Sequence, residues 1–312
     1  MRITGIAAFL LSALAGLLPC AAEPVRHRDL NPASPWAAHL DVAKLGDPAI
    51  EDFLLKVSGF DRVMGLKAIF NDQLALDWRS ITGVTLYGVG EKATATAIIL
   101  RGNFAGARLD QLTNEEDLPV CDGIQLKRGP EWQGHSLIIA VRSDKEWVAG
   151  TSVKAVQDGL DRLAGRAEAG KAPVLTPFAA KELAASAAMF AIDMKKINGQ
   201  VDFEADFTRA VQRGWFLIGS NDDLVEATVM IESTDAEGLA FLQQQLQASI
   251  GLLSSRTDLP SVWRELAGAV KIDQRGNWMT VKVAASPDQS VTFIKSLEQF
   301  FVAAPQAPEP DQ

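Results

Sequence analysis

Two aspartates, Asp41 and Asp193, end similar short apolar stretches, and a lysine follows each of them three residues later. The two phrases are LDVAKL at 40–45 and IDMKKI at 192–197. Two carboxylates that flank one bond could hydrolyse it, as in glycoside hydrolases. One alternative is therefore a hydrolase with a site at a domain junction. A carboxylate at a strand end can instead cap the next helical turn by accepting its backbone N–H groups. We favour this structural interpretation and assign no catalytic residue.

The histidines and acidic clusters are too sparse for a metal site. His39 lies two residues before Asp41 on the same side of a predicted strand, which gives two ligands where zinc needs three or four. The clusters at 114–117 and 221–223 lack the ligand spacing and central glycine of a calcium loop. Phosphate-binding loops and nucleophile elbows are absent from the sequence. We predict no metal and no cofactor.

Tryptophan is the prominent aromatic residue, with seven tryptophans and one tyrosine. Exposed tryptophans could bind sugars, which makes a glycan- or cell-wall-binding protein the second hypothesis. Four tryptophans fall on predicted strands, where core packing is the usual outcome. Three others lie in less regular stretches and are the candidate ligand-binding residues: Trp78, Trp132 and Trp263.

A repeated pattern organises the chain. Gly88 and Gly219 are 131 residues apart, and so are Trp147 and Trp278. We interpret these pairs, together with Asp41 and Asp193, as structurally equivalent positions of a duplicated unit. The longer first copy carries an apolar-rich stretch within 46–80, for which we favour packing on the sheet over an exposed interaction surface.

Each copy reads as strand, helix, hairpin, helix, hairpin, helix, which is an α+β order. Strands joined by tight turns pair antiparallel, so we predict two tandem repeats, each with a mostly antiparallel sheet and helices on one face. The best helix pattern is at 235–253, with leucines at three- and four-residue spacing. The predicted boundaries are 35–165 for repeat 1, 166–182 for a linker and 183–302 for repeat 2. Residues 23–34 and the tail at 303–312 have the composition of disordered segments.

The N-terminus has the pattern of a secretory signal peptide. Arg2 is followed by an apolar stretch to Pro19 and by the small residues Cys20 to Ala22. We predict cleavage after Ala22 and export to the periplasm or the cell exterior. An uncleaved membrane anchor and lipidation at Cys20 are the alternatives. Cleavage leaves Cys121 as a lone cysteine, which we expect to be buried and unreactive.

The charge balance argues against nucleic acid. The 312-residue chain has a formal charge of −9, and no run of Lys and Arg exceeds two residues. Such a surface repels phosphate backbones. After the leader, no segment is apolar enough for long enough to span a bilayer, so we predict no transmembrane span in the mature chain.

The pattern W-x-x-H-x-D-x-x-x-L, at Trp36, His39, Asp41 and Leu45, resembles the opening of a group of uncharacterised exported bacterial proteins. The stretch ITGVTLYG at 81–88 extends the resemblance. The resemblance implies a secreted protein of duplicated α+β build, and it implies no activity or site. Our leading expectation is a non-enzymatic binding module whose partner is an unknown envelope protein or a glycan.

Overall fold

The structure is a computed structural model. It describes residues 26, 29–31, 33–57, 80–90, 95–107, 118–132, 135–166, 185–197, 211–293 and 295. The linker from 167 onwards, most of the apolar-rich stretch at 58–79 and the two chain ends lie outside the described residues.

An 11-stranded antiparallel sheet dominates the fold, and the α+β prediction is confirmed. The strands are β1 Trp36–Asp41, β2 Ile81–Val89, β3 Ala95–Gly102, β4 Val120–Cys121, β5 Ile124–Gln125, β6 Lys127–Trp132, β7 His135–Val141, β8 Glu146–Gly150, β9 Ser186–Asp193, β10 Val211–Asn221, β11 Leu224–Ser233, β12 Lys271–Arg275 and β13 Trp278–Ala285. Strands β4 and β5 form a separate small hairpin. The helices are α1 Val42–Leu45, α2 Pro48–Val57, α3 Val153–Leu163, α4 Met194–Ile197, α5 Ala236–Ser255 and α6 Ser261–Ala269.

The two predicted repeats share this one sheet. Its order is β12-β13-β11-β10-β9-β1-β2-β3-β8-β7-β6, and the halves meet where β1 pairs antiparallel with β9. The sequence predicts a sheet in each repeat, whereas the structure continues one sheet through both. Counted outward from the central β1–β9 pair, the first half runs β2, β3, β8, β7 and the second half runs β10, β11, β13, β12. The two halves therefore have the same order up to β7 and β12. That agreement supports the duplication, whose common ancestry stays a prediction.

The repeat does not hold residue by residue. Leu100 and Ile231 are also 131 residues apart, but Leu100 pairs with Trp147 while Ile231 pairs with Met279. The pairing of β13 with β11 is therefore shifted by one residue relative to that of β8 with β3, which turns the side chains of β13 to the other face. Trp147 and Trp278 accordingly pack in different clusters on opposite faces, and their predicted equivalence is wrong.

The two faces of the sheet bury different clusters. Face 1, which carries Ala38, Leu86 and Ile98, packs against Leu45 of α1 and Phe53 of α2. Face 2 carries the residues that alternate with these: Ala37, Tyr87 and Ile99. Helix α3 packs over face 2, whereas α6 packs on the face-1 residues Val283 and Ala285. Helices thus cover both faces, in contrast to the prediction of one covered face.

Burial along a strand follows its place in the sheet. All six residues of β1 are buried because this central strand is covered on both sides. The edge strand β12 alternates between exposed and half-buried residues along its length. Both free edges resist pairing with another chain. Charged Lys271, Asp273 and Arg275 are exposed on β12, and Pro130 lies within β6.

The local predictions are largely confirmed. The β10–β11 turn has Asp222 and Asp223 at positive φ, as a two-residue hairpin turn requires. Helix α5 begins after Asp235, whose carboxylate accepts the backbone N–H of Glu237 at 3.0 Å. The sequence analysis missed α6 and the β4–β5 hairpin, which are short elements without a long periodic pattern.

Candidate functional site

Asp41 is a helix cap. Its Oδ1 accepts the backbone N–H of Lys44 at 3.4 Å, at the start of α1. Its Oδ2 lies 3.2 Å from the Lys44 ammonium, which also donates to the Ser186 carbonyl. A buried carboxylate is stabilised by this combination of backbone N–H and a cation. The structural interpretation of Asp41 is confirmed.

Asp193 repeats the arrangement at α4. Its Oδ1 accepts the backbone N–H groups of Lys195 at 3.1 Å and Lys196 at 3.3 Å. The Lys196 ammonium lies 3.9 Å from Oδ2. The stretches LDVAKL and IDMKKI therefore each form a strand end, a helix cap and a lysine one turn later. It is a structural signature in both halves.

The two aspartates are too far apart to act on one bond. Strands β1 and β9 are antiparallel, and the Asp193 N–H donates to the Pro35 carbonyl, beyond the opposite end of β1 from Asp41. At about 3.4 Å per residue, the two backbones are separated by about 20 Å. Paired catalytic carboxylates lie within about 10 Å of one another. The hydrolase hypothesis based on Asp41 and Asp193 is wrong.

We expect Asp41→Ala to lower the free energy of unfolding by about 1–2 kcal/mol, because α1 loses its N-cap and Lys44 loses its partner. Asp41→Asn keeps a cap acceptor and should cost less than the alanine. Urea unfolding of the two variants measures the difference. Equal costs for both would show that the cap hydrogen bond contributes nothing.

The candidate sugar-binding tryptophans do not form a site among the described residues. Trp263 is half-buried on α6 and packs edge-on against Phe293 at a centroid distance of 4.8 Å. The ring is only partly available to a ligand because it packs in the α6 cluster, and its role in ligand binding stays a prediction. Trp132 ends the edge strand β6, opposite His135, and Trp78 lies outside the described residues.

The other reactive groups have structural partners. His39 is buried, and its Nδ1 lies 2.9 Å from the Thr85 hydroxyl. Cys121 is a buried free thiol whose pKa is raised, first by burial and then by the carboxylates of Asp161 and Asp122. A raised pKa disfavours the reactive thiolate. In the part of the chain that the structure describes, no three potential ligands are grouped closely enough to hold a metal ion.

An open apolar row on face 1 is the best candidate for a binding surface. Cross-strand pairing places one residue from each of five neighbouring strands side by side, and we call this set the Phe216 row: Phe190, Phe216, Val229, Val281 and Ile272. Phe216 is 39% exposed and Val229 is 37% exposed, and the other three are half-buried. At about 4.8 Å per strand, the row is about 19 Å long.

The same row continues into the first half of the sheet, where it is closed. Phe190 pairs with Ala38, and the line runs on through Leu86, Ile98 and Ala149, all of which are buried. Face 2 directly behind the open part is closed as well. Trp215 and Leu217, which flank Phe216 along β10, are buried there. The opening is therefore local to face 1 of the second half.

Helices border the open row. Helix α2 packs against β10 and β11, and its Lys56 forms ion pairs with Asp52 and with Asp288, both at 2.7 Å. Helix α5 packs against β11, β12 and β13 and against α6. Leu239 of α5 is buried, whereas Phe241 and Leu252 are exposed. The sequence showed this surface only as ordinary strand alternation, so sequence reasoning missed it.

These features define an α+β protein built on a large antiparallel sheet, with an open apolar row on one face. No protein-family model matches the chain, and no curated protein matches it. Solved structures similar to it include crystal form I of TP0453, with 11% sequence identity and a TM-score of 0.45. That match covers 90% of this chain and 99% of the other. Crystal form III of TP0453 gives 11% identity and a TM-score of 0.47, covering 88% of this chain and 99% of the other. Within the described residues, no helix combines the length and apolar character needed to cross a membrane.

Proposed function

We propose that the chain is an exported, non-enzymatic binding module that acts in the cell envelope or outside the cell through its Phe216 row. The observation that carries the proposal is the exposure of Phe216 and Val229 on a row whose continuation is buried. Contiguous exposed apolar residues on a folded protein mark interaction sites, because leaving them in water is unfavourable. The leader pattern at residues 1–22 supports the export part of the proposal.

The partner that fits this surface is the apolar face of another protein. Four of the five row residues lie on strands with a neighbouring strand on each side, so their backbone groups are already paired within the sheet. Recognition must then come from side-chain burial and not from an added strand. The charged edge strand β12 and the edge strand β6, which contains Pro130, are also unsuited to strand addition. The acidic charge of the chain makes nucleic acid an unsuitable partner.

The glycan-binding alternative stays a prediction with less support. It relied on exposed tryptophans in irregular segments, and Trp263 is packed against Phe293. A sugar platform would need an aromatic ring presented to solvent. Among the residues whose side-chain exposure the structure describes, the exposed aromatic ones are Phe216 and Phe241. An apolar partner therefore suits the described surface better than a sugar does.

The test is to remove the apolar side chains of the row and measure binding. We expect Phe216→Ser combined with Val229→Ser to reduce the fluorescence of bound 8-anilinonaphthalene-1-sulfonate. The same double variant, immobilised, should lose envelope proteins that the unmodified mature chain retains. Because both residues are more than one-third exposed, the variant should keep the melting temperature within a few degrees.

The matched control is Phe241→Ser combined with Leu252→Ser. These residues are 62% and 66% exposed on α5, and neither belongs to the row. The control removes more exposed apolar surface than the row variant does, from the same half of the chain. If it lowers dye binding and partner retention as much as the row variant does, general hydrophobicity explains the binding. The proposed role of the Phe216 row would then be abandoned.

A further inference from the structure

Helix α5 carries exposed apolar residues on the side opposite its packed side. On the packed side Leu239 is buried, and Leu246 and Ile250 are half-buried. Phe241 and Leu252 are 62% and 66% exposed. They are 11 residues apart in the sequence, which is close to three full turns of helix. Both side chains therefore leave the helix on one line, about 16 Å apart along its axis.

The outer face of α5 has no charge. We use this name for four exposed residues on that line: Phe241, Gln245, Ala248 and Leu252. No ionisable residue occurs between Glu237 and Arg256, although 22% of the residues in the chain are charged. Two copies of a chain with a formal charge of −9 repel each other in general. An uncharged exposed face is where two such copies meet with the least repulsion.

The serine hydroxyls beside the outer face already have hydrogen-bond partners within α5. Ser249 donates to the Gln245 carbonyl at 2.9 Å, and Ser255 donates to the Leu252 carbonyl at 2.9 Å. A hydroxyl that keeps its partner costs less to remove from water than one that is left without a partner. Packing this side of α5 against another helix therefore leaves both hydroxyls satisfied.

Two α5 helices that pair antiparallel match each other along the outer face. In a pair with twofold symmetry, residue i of one copy lies opposite residue j of the other, and j lies opposite i. When Phe241 is set opposite Leu252 of the second copy, Gln245 falls opposite Ala248, because the helices run in opposite directions. The large apolar side chains then pack at both ends of the contact. The small Ala248 lets the helices approach closely between them.

The charges at the two ends of α5 favour the same register. It sets Glu237 of one copy opposite Arg256 of the other, and both residues are exposed. Arg256 also pairs with Asp258 of its own chain, which holds the guanidinium at this end of the helix. Parallel pairing would set the two Glu237 carboxylates side by side, which is unfavourable. Opposite charges thus meet at both ends of the antiparallel pair.

We propose that α5 is the surface through which two copies of this chain associate, as an antiparallel helix pair centred between Gln245 and Ala248. A helix of 20 residues is about 30 Å long, and covering a third of its circumference buries about 400 Å² per copy. Stable complexes bury about 800 Å² per partner. The dimer is therefore weak and forms at high protein concentration. This surface excludes the Phe216 row and does not depend on the proposed function.

Analytical ultracentrifugation of the mature chain, residues 23–312, measures the association. We expect the average mass to rise from that of a monomer at low micromolar concentration toward that of a dimer near millimolar concentration. Gln245→Lys alone and Ala248→Glu alone should each raise the dissociation constant at least about tenfold, because each brings like charges together at the centre of the pair. An equimolar mixture of the two variants should associate again, since the new lysine then lies opposite the new glutamate.

Gln247→Lys is the matched control. It adds the same charge at an exposed position of the same helix, but about 200° round the helix from Gln245, so the dissociation constant should not change. A chain that stays monomeric at every concentration overturns the proposal, and so does a dimer that Gln245→Lys and Gln247→Lys weaken equally. A monomeric chain that sediments with phosphatidylcholine vesicles, and loses this in Phe241→Ser with Leu252→Ser, would also overturn it and assign the outer face to lipid.

Discussion

Replacing Arg101 with methionine should lower the free energy of unfolding by about 3–5 kcal/mol, which is the cost of leaving one member of a buried ion pair alone. Asp29 would keep its buried carboxylate but lose the Arg101 guanidinium, which binds both of its oxygens. The loss would also loosen residues 29–31, including Leu30, which packs in one cluster with Tyr87. Urea unfolding monitored by circular dichroism measures the change.

The matched control for Arg101→Met is a neighbouring ion pair at the surface. Arg142 also pairs with Glu146, but its side chain is 35% exposed. Exposed pairs contribute at most about 1 kcal/mol, so Arg142→Met should be close to neutral. Replacing both buried partners, Asp29→Leu with Arg101→Met, should recover part of the loss, because no unpaired charge remains. Equal effects of Arg101→Met and Arg142→Met would contradict the buried pair.

Trp215→Ala should cost about 3–5 kcal/mol, whereas Phe216→Ala should cost less than about 1 kcal/mol. The two residues are neighbours on β10, but their side chains leave the strand on opposite faces. Trp215 is 2% exposed and packs against Trp278 with ring centroids 5.0 Å apart. Removing it leaves a cavity in face 2, while Phe216 is already open to solvent.

Thermal unfolding of Trp215→Ala and Phe216→Ala under identical conditions measures this difference. Conservative Trp215→Phe should recover part of the stability, since an aromatic ring remains against Trp278. A large loss from Phe216→Ala would mean that the Phe216 row is covered in the folded protein. That result would also remove the basis of the proposed binding surface, so this pair of variants tests the site before any partner is known.

Local chemistry explains the predictions that the structure confirms. The caps at Asp41 and Asp193 depend on residues a few positions apart. Helix α5 follows from leucines at helical spacing over many residues. Such short-range preferences are written directly in the sequence, and they fixed the α+β class.

Register and exposure depend on distant residues. A shift of one residue in the pairing of β11 with β13 places Met279 opposite Ile231 and turns Trp278 to face 2. Matching tryptophans along the sequence cannot detect such a shift, because both registers keep the same spacing. The disorder predicted for residues 23–34 is wrong for residues 29–31, where Leu30 is buried, because Arg101 and Arg162, which bind this segment, are far from it in sequence.

The element types, the hairpin turns and the capped strand ends can be predicted from the order of the residues, because each depends on interactions within one turn of chain. Contacts between distant segments determine that both halves share one sheet, that Asp41 and Asp193 lie at opposite ends of the central pair, and that Phe216 is 39% exposed while Trp215 is buried. Alternation says that two neighbouring side chains face opposite ways, but the packing of distant helices decides which of the two faces is covered.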